Sequence, residues 1–182
     1  GAVSLYHFRI QEVEAPDGYL LDPTVHDFQF NIKTDQYQTL TYQYEAADSP
    51  NRVIISKKQL TTKEELPGAS LEVRRVTEMV DKDGTVIRID GDVIESWIST
   101  EVPHELECLT EGMYVLIETR APEGYIEAEK VYFTISGNMT VDDIPMVEMF
   151  DDDTKIEIRK VDSETGNPLK GAKMQLILQA SG

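Results

Sequence analysis

Apolar and polar residues alternate in short runs along much of this 182-residue chain. A strand sends successive side chains to opposite faces, so such runs predict strands with one buried face. Val53-x-Ile55-x-Lys57 and Leu71-x-Val73 read this way. So do residues 93–99 (VIESWIS), 113–118 (MYVLIE), 130–136 (KVYFTIS) and 145–151 (PMVEMFD). A Pro-Gly turn precedes Leu71, and Asp83-Gly84 and Asp90-Gly91 are hairpin signals. No stretch supports a long helix. Short strands at regular spacing, with turns between them, predict an all-β, Ig-like β-sandwich.

The pattern also repeats. "APDGY" begins at Ala15 and "APEGY" at Ala121, 106 positions later. A second pair aligns without gaps at an offset of 103, placing Lys57 on Lys160, Leu66 on Leu169, and Gly68-Ala69 on Gly171-Ala172. Two independent motifs with nearly one period predict tandem domains of about 100 residues. The lysine motif opens a unit and the Pro-x-Gly-Tyr motif comes late in it. Residues 52–153 then form one complete unit. Residues 1–51 correspond to the C-terminal part of a preceding unit, and residues 154–182 to the N-terminal part of a following one.

Three ionisable residues break the apolar face of the complete unit. Lys57 ends Val53-x-Ile55-x-Lys57, Glu118 ends Tyr114-x-Leu116-x-Glu118, and Asp151 ends Val147-x-Met149-x-Asp151. A buried charge costs several kcal/mol unless it is paired or neutralised, so three at the inner ends of strands predict a group. Burial disfavours the charged form of an amine and of a carboxyl alike. A neutral amine is a nucleophile and a protonated carboxyl its acceptor, while a further carboxyl can shuttle protons between them. The product would be a side-chain amide tying the first strand to the last. Read singly, Lys57 is an edge-strand guard and Glu118 a surface carboxylate.

With these residues in view, the chain resembles the CnaB-type (SpaA-like) domains of Gram-positive surface adhesins and pilins, which form intramolecular isopeptide bonds. The resemblance rests on "IISK" ending at Lys57, "LPGASLEV", "ESWIS", "YVLIETRAPEGY" containing Glu118, and "VEMFDDDTK" containing Asp151. It implies that Lys57 is the amine, Asp151 the acceptor and Glu118 the catalytic proton shuttle. Many such domains use asparagine as acceptor and release ammonia; with aspartate, water would leave. Asp152 and Asp153 adjoin the acceptor, and a one-residue slip of register would change which carboxyl faces inward. In the outer pieces the same logic gives Glu12 as the equivalent shuttle and Lys160 with Asp48 as a candidate second bond, the alternative being a head domain with short edges. The ends of a stalk domain point opposite ways, so tail-to-head pairing between molecules is easier than self-closure.

The function implied is structural: a stalk or pilin module of a cell-surface protein, attached to the wall through other segments. The alternative is an adhesin module that binds a host protein or glycan. The amide chemistry is self-directed and single-turnover, so no enzyme activity on outside substrates is expected. Neither a cofactor nor a metal is expected, because Asp151-Asp152-Asp153 lacks the spaced ligands and central glycine of an EF-hand. His7, His26 and His104 show no ligand spacing, and Trp97 reads as core or sheet cover. The net charge of −17 argues against nucleic acid and anionic membrane partners. No apolar run reaches the roughly 20 residues that span a bilayer, and no signal peptide is visible at the start. Cys108 is the only cysteine, so an internal disulfide is impossible. That alone would lean toward a reducing compartment, but an amide replaces the disulfide outside the cell.

Overall fold

The architecture comes from a computed structural model, which describes residues 3–33, 39, 41–155, 158–175 and 177. Ile156 and Leu176 of the repeated lysine motif lie outside these residues. The strands are β1 (Val3–Gln11), β2 (Val25–Lys33), β3 (Arg52–Gln59), β4 (Ser70–Val80), β5 (Val86–Ile98), β6 (His104–Glu107), β7 (Gly112–Arg120), β8 (Tyr125–Ile126), β9 (Val131–Ile135) and β10 (Met146–Asp153). The one helical element among the described residues is a 3-10 turn at Val141–Asp143.

Two four-stranded sheets, ordered β6-β3-β10-β8 and β5-β4-β7-β9, make a sandwich from residues 52–153. The predicted alternation holds on both inner faces. Val53 and Ile55 of β3, Leu71 and Val73 of β4, Tyr114 and Leu116 of β7, and Val147 and Met149 of β10 are buried in one cluster. Trp97 packs against that cluster and stacks on His104, covering a sheet as its sequence position suggested. Strands β1 and β2 form a separate antiparallel pair.

Strands β3 and β10, the first and last of the sandwich, are neighbours and run parallel, with Ile54 opposite Met146 and Gln59 opposite Asp151. The chain therefore enters the sandwich at one end and leaves at the other, separated by an eight-residue strand of roughly 26 Å.

One turn expectation is corrected. Asp83-Gly84 does sit in the β4–β5 turn, but Asp90-Gly91 lies inside β5. There the register slips opposite Arg74 and Val76, a bulge rather than a hairpin. Glycine is required by crowding, since a Cβ at Gly91 would come within 3.0 Å of the Arg75 carbonyl.

The first unit is locked onto the sandwich. Leu20 is buried in the sandwich core, and the Leu21 N–H donates to the Met139 carbonyl at 2.7 Å. Gly18 packs against the backbone of Cys108, which is itself exposed and adopts φ +58°. The buried Asn51 side chain donates to the Leu109 carbonyl and accepts from the Leu109 N–H.

Candidate functional site: a buried lysine between two carboxylates

Lys57, Glu118 and Asp151 meet between the sheets, with side chains no more than 1% exposed. Lys57 and Asp151 come from the adjacent parallel strands β3 and β10; Glu118 reaches across from β7 of the opposite sheet. Each lies two residues beyond a core residue on its strand's inner face: Ile55, Leu116 and Met149. Lys57 Nζ donates to Asp151 Oδ1 and lies 3.1 Å from Glu118 Oε1. The partner facing Lys57 is Asp151; Asp152 and Asp153 are half-buried and pair along the strand edge with Ile126 and Tyr125.

Glu118 is aimed by the backbone, its Oε2 accepting from the Ala128 N–H at 2.7 Å. Its Oε1 and Asp151 Oδ2 are buried without a hydrogen-bond partner; the Lys57–Glu118 contact is close but not aligned as a hydrogen bond. Orphaned buried acceptors are costly, and a proton held between the two carboxyls would satisfy both. The electrostatics favour that proton. Burial, with a smaller contribution from the Glu118 charge, raises the Asp151 carboxyl to about 6 from 3.8, against the opposing pull of Lys57. The pocket thus holds an amine against a carboxyl that retains its proton easily, with a second carboxyl alongside.

The turn after β3 fixes the lysine strand. The Leu66 N–H donates to the Lys57 carbonyl at 2.6 Å. Ser99 then staples that turn, donating to the Leu66 carbonyl at 2.7 Å and accepting from the Ala69 N–H at 2.9 Å. Ser99 and Asn51 are structural polar residues that the alternation pattern does not flag. A buried serine at a strand's end reads from sequence as an exposed one. Lys58, of opposite parity to Lys57, is paired with Glu148 on the outer face.

The family described as "SpaA: Prealbumin-like fold domain" matches residues 51–146, more than half of the chain. The chain belongs to this SpaA family. The matched SpaA span contains Lys57 and Glu118 and stops short of Asp151. No curated protein matches. Among solved structures, the C-terminal domain of the shaft pilin SpaA from Lactobacillus rhamnosus GG is 18% identical, with a TM-score of 0.41, covering 57% of this chain and 98% of that domain. The Bacillus anthracis TIE protein is 22% identical, with a TM-score of 0.43 over 82% of this chain, which spans only 25% of that protein. The group B streptococcus pilus 2b backbone protein is 14% identical, with a TM-score of 0.43, covering 79% of this chain and 52% of that one.

The remaining candidate residues of this SpaA-like chain lie apart from the triad. Glu12 and Asp48 are half-buried and line one cavity of 160 Å³. Lys160 is exposed, and no ion pair joins it to Asp48 among the described residues.

Proposed function

We propose that the chain is a stalk or pilin-type structural module of a Gram-positive cell-surface protein, hardened by a self-formed Lys57–Asp151 isopeptide bond. The carrying observation is the buried amine held against a carboxyl on the neighbouring terminal strand, with a second carboxyl within 3.1 Å. In the reaction, a proton passes from Lys57 to the carboxyl pair. The neutral Nζ attacks Asp151 Cγ, forming the C–N bond. Glu118 accepts the amine's second proton and delivers it to the departing hydroxyl. The C–O bond breaks and one water leaves, so atoms balance with no outside reactant. The reaction occurs once per molecule, on the protein itself, which distinguishes it from enzyme turnover. Wall attachment would come through other segments of the protein.

Intact mass under denaturing conditions tests the reading. The expected result is a chain lighter by one water than its composition, with the loss mapped by proteolysis to a branched peptide joining Lys57 and Asp151. A chain of full compositional mass after purification would overturn it.

A further inference from the structure

One segment touches both carboxyl-bearing strands of the triad. β9 pairs with β7 only as far as Leu116, two residues short of Glu118. Residues 121–130, which lead into β9, cross instead to the opposite sheet and return. Beyond the crossing, β8 pairs Ile126 with Asp152 and Tyr125 with Asp153, and the Gly124 carbonyl accepts from the Thr154 N–H at 2.8 Å. These contacts grip the chain immediately after Asp151. On the return, Ala128 turns inward between the exposed Glu127 and Glu129 and packs against the core. Its N–H donates to Glu118 Oε2. Lys130 then pairs with Asp90 of β5, fastening the far end of the crossing.

The Ala128 N–H is the hydrogen bond that holds the Glu118 carboxyl, since Oε1 accepts none. A glutamate side chain turns about three bonds. Released, its carboxyl can swing away from Lys57 Nζ, and a misplacement of about 1 Å costs about 100-fold in rate. The construction occurs twice in the chain. Glu12 Oε2 accepts from the N–H ten residues on, at Asp22, as Glu118 Oε2 does from Ala128, both at 2.7 Å. Tyr19 N donates to the Pro16 carbonyl as Tyr125 N does to Pro122, and the Gly18 carbonyl accepts from Asn51 N as Gly124 does from Thr154 N. Gly18 and Gly124 both have positive φ, +84° and +88°. One crossing that aims a glutamate and grips a later segment thus recurs with the same bonds, which a chance loop conformation would not reproduce.

We propose that residues 121–130 gate the crosslink, with Ala128 as the positioning residue: its N–H sets Glu118 against Lys57 and Asp151 only once the same crossing has seated β10. The inference rests on the triad reading of Lys57, Glu118 and Asp151, and adds an order to it. Asp151 comes late in the chain and must dock beside β3 before Lys57 can reach it. The crossing closes on residues 152–154, so the shuttle is brought to bear after the acceptor has arrived. The chain has 34 acidic residues. This order keeps Lys57 from joining a wrong one while the sandwich is still assembling.

The test deletes one N–H. Cys108 is the only cysteine, so the full chain can be joined from residues 1–107 and 108–182 by thioester ligation in denaturant, which delivers it unfolded and unlinked. In one version lactic acid replaces Ala128, exchanging the N–H for an ester oxygen. After dilution from denaturant, Trp97 fluorescence follows folding, because the ring packs on the core, and the mass of quenched samples follows the loss of water. The ester chain should fold at the unsubstituted rate and lose water about 10–100-fold more slowly. Gly124→Val places a β-branched residue at φ +88°, where a Cβ meets nothing within 4 Å, and should slow water loss likewise. Gly124→Asn tolerates that φ and should stay near the unsubstituted rate. An ester chain that loses water at the unsubstituted rate, or that is slowed only as much as its folding, overturns this inference and leaves the triad reading standing. If the ester chain does not fold, the two Gly124 variants decide: equal rates of water loss overturn the gate, and a slow valine beside a fast asparagine supports it. An unsubstituted chain that folds and never loses water overturns both readings.

Discussion

Glu118→Gln is the cleanest perturbation of the triad. It keeps the side chain's volume in a site that is 2% exposed, and an amide oxygen can still accept from the Ala128 N–H. It removes the group that moves protons, and it leaves Lys57 and Asp151 as a balanced pair, so no unpaired charge is created. Whatever stability is lost therefore reports the missing crosslink. The bond would close a loop of 94 positions. Chain-entropy arithmetic for a crosslink of that span gives about 4–5 kcal/mol through restriction of the unfolded state. For a domain of about 100 residues this corresponds to a fall in Tm of about 20 °C. The assay is calorimetry beside intact mass: the variant should be heavier than the wild type's crosslinked form by one water, after correction for the substitution, and should melt about 20 °C lower. A variant that lacks the bond yet melts with the wild type would refute the argument that the bond stabilises the fold. A variant that still loses water would refute the role of Glu118.

Further outcomes follow from the same geometry. In the unlinked protein, burial makes Asp151 hold a proton that the unfolded chain releases, so its contribution to stability is full below about pH 3.8 and lost as pH rises to about 6. Denaturant melts of Glu118→Gln against Glu118→Gln/Asp151→Asn should show a difference that falls as pH rises from about 3.8, with the fall complete below about 6 because the Glu118 charge that helps raise Asp151 is gone. Leu20→Ala empties a position in the sandwich core and should cost about 2–5 kcal/mol, read as lowered Tm and faster proteolysis between residues 11 and 52. Ser99→Ala leaves the Ala69 N–H without its acceptor in the turn behind Lys57 and should cost about 1–3 kcal/mol by denaturant unfolding.

The fold was legible because alternation is a local signal. Val53, Ile55, Leu116 and Met149 each sit where period two places them. The triad's shared location was legible for the same reason: an ionisable residue in phase with core residues must face the core. What could not be read locally depends on tertiary neighbours. Asp90-Gly91 has the composition of a hairpin turn, and only the crowding of Gly91 against Arg75 makes it a bulge. The docking of Leu20 and Asn51 into the sandwich crosses a boundary that the repeat alone would draw between independent units. The choice among three consecutive aspartates depends on strand register, which β3 and β8 fix on either side of β10.

The position of the triad along its strands also sets what the proposed crosslink would do under load. Pulling on the chain enters the sandwich at Arg52 and leaves at Asp153, on neighbouring parallel strands. Without a bond, that shear falls on the ladder hydrogen bonds between β3 and β10, and their rupture would release the whole intervening chain. With the Lys57–Asp151 amide, tension runs along β3 to Lys57, crosses to Asp151 and exits two residues later. Everything from residue 58 to residue 150 then lies outside the force path. On the proposed reading the sandwich would not need to resist extension; it would need only to hold three side chains dry and aligned until the bond formed. A disulfide between the same strands would carry load equally but could be reduced, whereas an amide cannot be broken by thiols. The single cysteine, Cys108, lies outside this path.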